Sequence, residues 1–151
     1  MALHCPATLL VASPGDEHAV RSLLQSVRGE NLAEVISSSD AAARALAEAS
    51  ATDLDLPSGV VSGLEEIAAG EGEQAVLARY RDALEELSDT HRGQTVLVIS
   101  HPEVMSLALL ALADTVPAGA RTASILPPAV PARVEVDGDG VRILSWPGST
   151  S

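Results

Sequence analysis

The chain has 151 residues, a length that suits one compact domain with one good core and is too short for two ordinary ones. Its net charge is −12 and all nine basic residues are Arg, so it carries no counterion-releasing patch for phosphate backbones or anionic membranes. Phe is absent, and Trp146 and Tyr80 are the only large aromatics, which excludes base stacking on aromatic platforms and leaves Leu, Val, Ile and Ala to build the core.

Cys5 is the only cysteine; it allows no internal disulfide and no thiolate zinc cage, and is read as a buried strand thiol. Residues 1–10 lack a basic segment followed by an apolar run and a cleavage site, and no apolar stretch reaches the roughly 18 residues needed to span a bilayer. A soluble, cytoplasmic protein is expected.

In chain order, the apolar run Thr8 to Ala12, bounded by Ser13-Pro14-Gly15, suits a buried parallel strand. From Asp16 to Arg28, Val20, Leu23, Leu24 and Val27 recur at helical spacing, and Gly29 sits where a helix would stop. Ser13 as N-cap, Pro14 at the first helical position and Asp16 in the first turn make a helix start. Val35-Ile36 predict a second strand, the Ser run 37–39 a cap, and the Ala-rich stretch Ala41 to Ala49 a second helix.

Residues 50–63 read as a connection with a short strand at Val60-Val61, and Glu71 to Arg92 as the longest amphipathic helix. The run TVLVIS, Thr95 to Ser100, predicts the central strand, and Pro102 to Ala113 a buried helix after it. Short alternating runs follow at Ser124 to Leu126, Ala132 to Val136 and Val141 to Trp146, the last two joined by the turn Asp137-Gly138-Asp139-Gly140. The whole predicts a single α/β domain over 1–151. It is a three-layer sandwich with a mostly parallel central sheet, antiparallel C-terminal strands and helices on both faces.

Ligands in open α/β sheets bind beyond the carboxyl ends of the strands, which directs attention to residues 13–17, 37–44 and 100–103. Here the sequence resembles a family. TLLVASPGDE is similar to the opening strand and signature of the histidine phosphatase (phosphoglycerate mutase-like) superfamily, where the strand ends in Arg-His-Gly followed by an acidic residue. SSSDAAARALAEA resembles that family's Ser-Ser segment with its Arg-Ala helix start, GEGEQAVLARYRDALEEL the helix before its second histidine, and TVLVISHPEVMSLALLAL its strand-His-Gly-helix unit.

The resemblance implies that Ser13 stands at the first phosphate-binding Arg, Pro14 at the nucleophilic His and Gly15 at the signature Gly. Arg44 matches the second phosphate-binding Arg in a register one residue off the Ser run, Glu71 falls near the general acid, and His101 matches the second active-site His. A proline nitrogen within the chain has neither a lone pair nor an N–H to offer, so the covalent phosphohistidine route cannot run at Pro14. Asp16, Glu17 and Glu103 are expected to compete with an anion at the two helix starts, and Leu64-Glu65-Glu66-Ile67 runs almost directly into Glu71, which implies short covering loops and a shallow, wet site.

His18 falls inside the first helix and is not a substitute nucleophile; His4 and His91 are read as surface residues; and no His spacing supports a metal. Ser13 lacks the context of a serine nucleophile. Three functions stay open: a degenerate phosphatase kept as a binding or regulatory domain with a remnant anion pocket (Arg44, Ser13, Gly15, His101); an enzyme of altered mechanism, a phosphatase-like hydrolase or lyase, using His101 with Glu71 and Arg44; and a dimerisation subunit with an Ala- and Leu-rich face. No cofactor or metal is expected. The expected partner is a small anionic, phosphorylated molecule or a second copy of the chain, with nucleic acid and membrane excluded.

Overall fold

The computed structural model describes residues 5–120 and 130–147. The predicted strand at Ser124 to Leu126 and His4 lie outside these. The four parallel strands are β1 (Ala7–Ala12), β2 (Leu32–Ser37), β3 (Ser58–Val60) and β4 (Thr95–Ile99). β5 (Ala132–Asp137) and β6 (Gly140–Ser145) complete one six-stranded sheet in the order β3-β2-β4-β1-β5-β6, with β5 antiparallel to β1 and β6 to β5.

Two apolar layers enclose the sheet. On one face Leu10, Ala12, Val35, Leu97 and Ile99 pack against α1 (Glu17–Val27) through Leu23 and Val27, and against α2 (Ala41–Leu54) through Ala43, Ala47 and Ala51. On the other, Leu9, Val11, Val96 and Val98 meet Val76, Tyr80, Ala83, Leu84 and Leu87 of α3 (Glu73–Thr90). The same layer takes Val104, Met105, Ala108 and Leu109 from a helical stretch formed by α4 (Pro102–Val104), a π-helical turn (Met105–Leu109) and α5 (Leu110–Leu112). The alternating apolar and polar residues of β5 follow from coverage on one face only: Ala132, Val134 and Val136 are buried, while Arg133 turns the other way to pair with Glu30 at 2.8 Å. In the Ala-rich helix Ala43, Ala47 and Ala51 are buried while Ala41, Ala42, Ala45 and Ala49 are exposed, and the large hydrophobics exposed among the described residues are Val60, Val130 and Leu144.

Local chemistry sets the helix starts differently from the sequence expectation. Asp16 caps α1 by accepting from Ala19 N at 2.8 Å, so Ser13, Pro14 and Gly15 lie outside the helix. Asp40, not the Ser run, caps α2, accepting from the N–H groups of Ala42 and Ala43. A carboxylate is the stronger acceptor at a helix N-terminus, and Ser37 and Ser38 are drawn into the sheet edge instead. Cys5 is exposed just before β1, contrary to the buried strand thiol expected. His91 is buried at the end of α3, not on the surface, because both ring nitrogens find oxygen partners: Nδ1 with Gln94 Oε1 at 3.0 Å and Nε2 with Glu34 Oε1 at 3.3 Å.

Candidate functional site

Because β4 runs between β2 and β1, the chain leaving β4 emerges between the chains leaving its neighbours. Hydrogen bonding continues one residue past the strands: Ser100 N donates to Ala12 O at 2.8 Å, and Ser38 N to Ile99 O at 3.1 Å. This register brings Ser13-Pro14, Ser38 and Ser100-His101 together at the carboxyl edge of the parallel strands, the crevice where α/β sheets hold ligands. His101 is in extended conformation as the N-cap of α4, half-buried, and its Nε2 lies 2.9 Å from Oγ of the fully buried Ser38. Beneath it, Tyr80 Oη donates to Ser100 Oγ at 3.1 Å and Ser100 Oγ donates to Leu64 O at 2.8 Å; burial pushes the Tyr80 phenol well up, so it stays a proton donor.

The loop at residues 63–71 closes the crevice on the α3 side. Glu65 accepts from Ser39 N at 3.0 Å and from Gly63 N at 2.8 Å. Burial works to raise its carboxyl, and the N–H groups of Ser39 and Gly63 outweigh that and hold it below the usual carboxylate range. Glu66 Oε1 accepts from Val104 N at 2.9 Å, in the first turn after His101, and from Ile67 N at 3.2 Å. Sequence reasoning missed both carboxylates. The signal available was their position two and three residues after Gly63, whose φ of +109 and close approach to the Arg79 carbonyl leave no room for a side chain.

Arg79 locks this loop. Its Nε and Nη2 grip the two carboxylate oxygens of Glu71 at 2.7 and 3.0 Å, Nη1 donates to Gly63 O at 2.7 Å and Nη2 to Glu66 O at 3.1 Å. The hydrogen bonds from Arg79, with a further one from Ala68 N, pull Glu71 from an ordinary 4.5 to about 2. So fixed, Glu71 ties the loop at residues 63–71 to α3 through Arg79.

Of the other predicted residues, Pro14 and Gly15 lie half-buried beyond β1, and Ser13 is almost fully buried at the same strand end. Arg44 is exposed on α2 and lines a small cleft of about 100 Å³ with Ser37, Ala47, Glu48, Ser58, Gly59 and Val60, a set without His101. Its neighbour Ala43 is the residue turned into the core. The structure thus joins His101 to Ser38 and the 65–66 carboxylates to the backbone at Ser39 and Val104, while Glu71 pairs with Arg79 and Arg44 lines a cleft whose lining lacks His101. Asp16 is taken up by its own cap, and His18, Glu17 and Glu103 are exposed. No group of three or more His, Cys, Asp or Glu among the described residues is placed to hold a metal, and no helix among them is long and apolar enough to cross a membrane.

Comparison with known proteins gives a consistent picture. The fold matches YhfR of Bacillus stearothermophilus with a TM-score of 0.80 at 18% identity, over 96% of this chain and 98% of that one. A putative alpha-ribazole-5'-P phosphatase from Escherichia coli matches at 0.72 and 17% identity over 96% and 97%. A mycobacterial glucosyl-3-phosphoglycerate phosphatase complexed with VO3 matches at 0.72 and 14% identity over 96% and 100%. No curated protein sequence matches. The family model of the histidine phosphatase superfamily (branch 1) matches residues 68–148, more than half of the chain, including α3, β4 and His101, with Ser13-Pro14-Gly15 outside the matched span. An α/β fold shared over nearly the full length with phosphatases, together with that family match, makes this chain a member of the histidine phosphatase superfamily.

Proposed function

We propose that this chain is a non-catalytic member of its family, a binding or regulatory domain that has lost phosphohistidine chemistry and keeps the remnant of an anion site at His101. The observation that carries the reading is the pair of residues leaving the two central strands: Pro14 after β1 and His101 after β4, held side by side by the Ala12–Ile99 register. One of the two offers an imidazole, and the other offers a nitrogen bonded to three carbons. The surrounding charge supports the same reading. The carboxylates of Glu65 and Glu66 take the N–H groups of Ser39, next to Ser38, and of Val104, three residues after His101, while Arg79 is committed to Glu71 and two carbonyls. A phosphoryl group in flight needs the opposite surroundings, fixed donors that stabilise its equatorial oxygens.

An enzyme of altered mechanism draws support from the 2.9 Å contact between Ser38 Oγ and His101 Nε2, a hydroxyl in reach of a base. Against it, Ser38 is fully buried, Glu71 is a locked carboxylate and Arg44 lines a different cleft. The deciding experiment is incubation of the native protein with p-nitrophenyl phosphate. The proposal expects no release of p-nitrophenol above that of a His101→Ala variant, and release that depends on His101 would overturn it.

A further inference from the structure

His101 stands at the carboxyl edge of the parallel strands, and a second cleft opens at their amino edge. Because β5 runs antiparallel to β1 and Ala7 pairs with Val136, the turn from β5 to β6 lies at the end of the sheet opposite His101. Between that turn, the outer side of α3 and the residues that follow α5 there is a cavity of about 280 Å³. Its floor is aliphatic: Leu84, Val136 and Val141 are buried and Leu112 is half-buried beside them. Its rim is charged, with the carboxylates of Glu85, Asp114, Asp137 and Asp139 facing the guanidinium of Arg81. We propose that this cleft binds a small organic monocation, a primary alkylammonium whose carbon chain covers the floor while its charge meets Glu85 and Asp114. The proposal does not depend on the reading of His101.

The charge of the rim decides the occupant. Asp137 is spent within the hairpin, one oxygen accepting from Arg142 Nη2 at 2.6 Å and the other from Asp139 N at 2.8 Å. Glu85 and Asp114 differ, since neither carboxylate has a hydrogen-bond or ion-pair partner among the described residues, and Asp114 gives Arg142 only a longer-range attraction. An anion would meet this excess of carboxylates on a chain whose net charge is −12. A neutral apolar molecule would cover the floor and leave the two carboxylates unanswered. A cation with an apolar body satisfies both.

The cleft is also preformed. Asp114 N donates to Val141 O at 2.7 Å and Ile143 N to Thr115 O at 2.9 Å, which straps the chain after α5 to β6. Ser88 Oγ donates to Val136 O at 3.2 Å and ties α3 to β5. The Asp114 carboxylate occupies the space that a side chain on Gly140 would need, so this glycine is what lets the charge sit against the hairpin. Walls fixed in this way lose little freedom when a ligand enters, and the volume, at the lower end for ligand pockets, suits a small molecule rather than a peptide.

The test is a titration of the full chain with n-hexylammonium followed by amide 15N shifts, with 1-hexanol and hexanoate as probes of matched length. Hexylammonium is expected to give saturable shifts at Asp114, Gly138 and Gly140, with 1-hexanol at least about tenfold weaker and hexanoate silent at these amides. Glu85→Gln should weaken hexylammonium about fivefold and Glu85→Gln/Asp114→Asn at least about tenfold, with 1-hexanol unchanged in both. The proposal is overturned by the absence of saturable shifts at these amides, by equal affinity for hexylammonium and 1-hexanol, by a saturable response to hexanoate, or by undiminished affinity in the double variant. Should circular dichroism show the double variant unfolded, Glu85→Gln decides by the same criterion, because Glu85 is exposed on α3. Turnover of p-nitrophenyl phosphate reports on the other edge of the sheet and bears on none of these outcomes.

Discussion

Ser38 Oγ lies 2.9 Å from His101 Nε2, and this contact ties the end of β2 to the end of β4 at the centre of the carboxyl edge. Ser38 is fully buried and its neighbour Ser37 donates its own hydroxyl to Ser38 O at 2.9 Å, so the serine has little freedom to turn away. Ser38→Ala removes one buried hydrogen bond and should cost about 1 kcal/mol in urea denaturation. The same variant should move the 15N resonance of His101 Nε2, whereas Ser39→Ala, which alters an exposed side chain, should leave it in place. An unmoved resonance in Ser38→Ala would show that the contact does not persist in solution.

Arg79 and Glu71 make a second relationship with a pH signature. Glu71 is depressed from 4.5 to about 2, so its contribution to stability is fully present above its ordinary value and is lost as the pH falls toward 2. Arg79→Met should flatten the decline of the melting temperature between about pH 4.5 and 2, leaving the smaller part due to Glu65. At neutral pH the same variant should raise hydrogen exchange at residues 63–71 more than elsewhere, because three groups of that loop lose their donor. Uniform exchange across the chain would remove Arg79 from its role as the clamp.

Gly63 is the point at which this loop passes against α3. A Cβ there would sit 2.5 Å from the Arg79 carbonyl oxygen, on a residue whose φ is +109. Gly63→Ala is therefore expected to destabilise by about 2 kcal/mol or more, read from the urea midpoint. Gly72→Ala, where nothing lies within 4 Å and φ is ordinary for a helix N-cap, should be close to neutral by the same measurement.

Much of the architecture was legible because it depends on patterns that tertiary contacts reinforce. The apolar runs of β1 and β4 are buried on both faces, and a parallel central strand needs that; the hairpin turn around Gly138-Asp139 joins Asp137 to Gly140 as its residues demand. Helix starts were less legible. Pro14 and Gly15 suit a first turn in composition, yet Asp16 offers the better acceptor and the helix begins after it. The π-helical turn at Met105–Leu109 leaves no mark in a stretch that is simply apolar.

The site was legible only in part, for a physical reason. His101 follows from its place at the end of the strongest strand. Glu71 and Glu66 stand five residues apart with the same chemistry, and which of them faces the helix of His101 depends on where Arg79 reaches from α3, a contact no local pattern encodes. Arg44 and Ala43 differ by one helical position, and the buried Ala packing of α2 turns Arg44 outward.

The central claim is that no histidine at the carboxyl edge of the sheet, His101 included, carries a phosphoryl group in this protein. Wild type and His101→Ala should be incubated with a reactive phosphoryl donor such as acetyl phosphate and then analysed for acid-labile, alkali-stable phosphate by 31P resonance and peptide mass. The account predicts no phosphohistidine in either protein. A phosphohistidine recovered from wild type in proportion to turnover, and absent from His101→Ala, would contradict it.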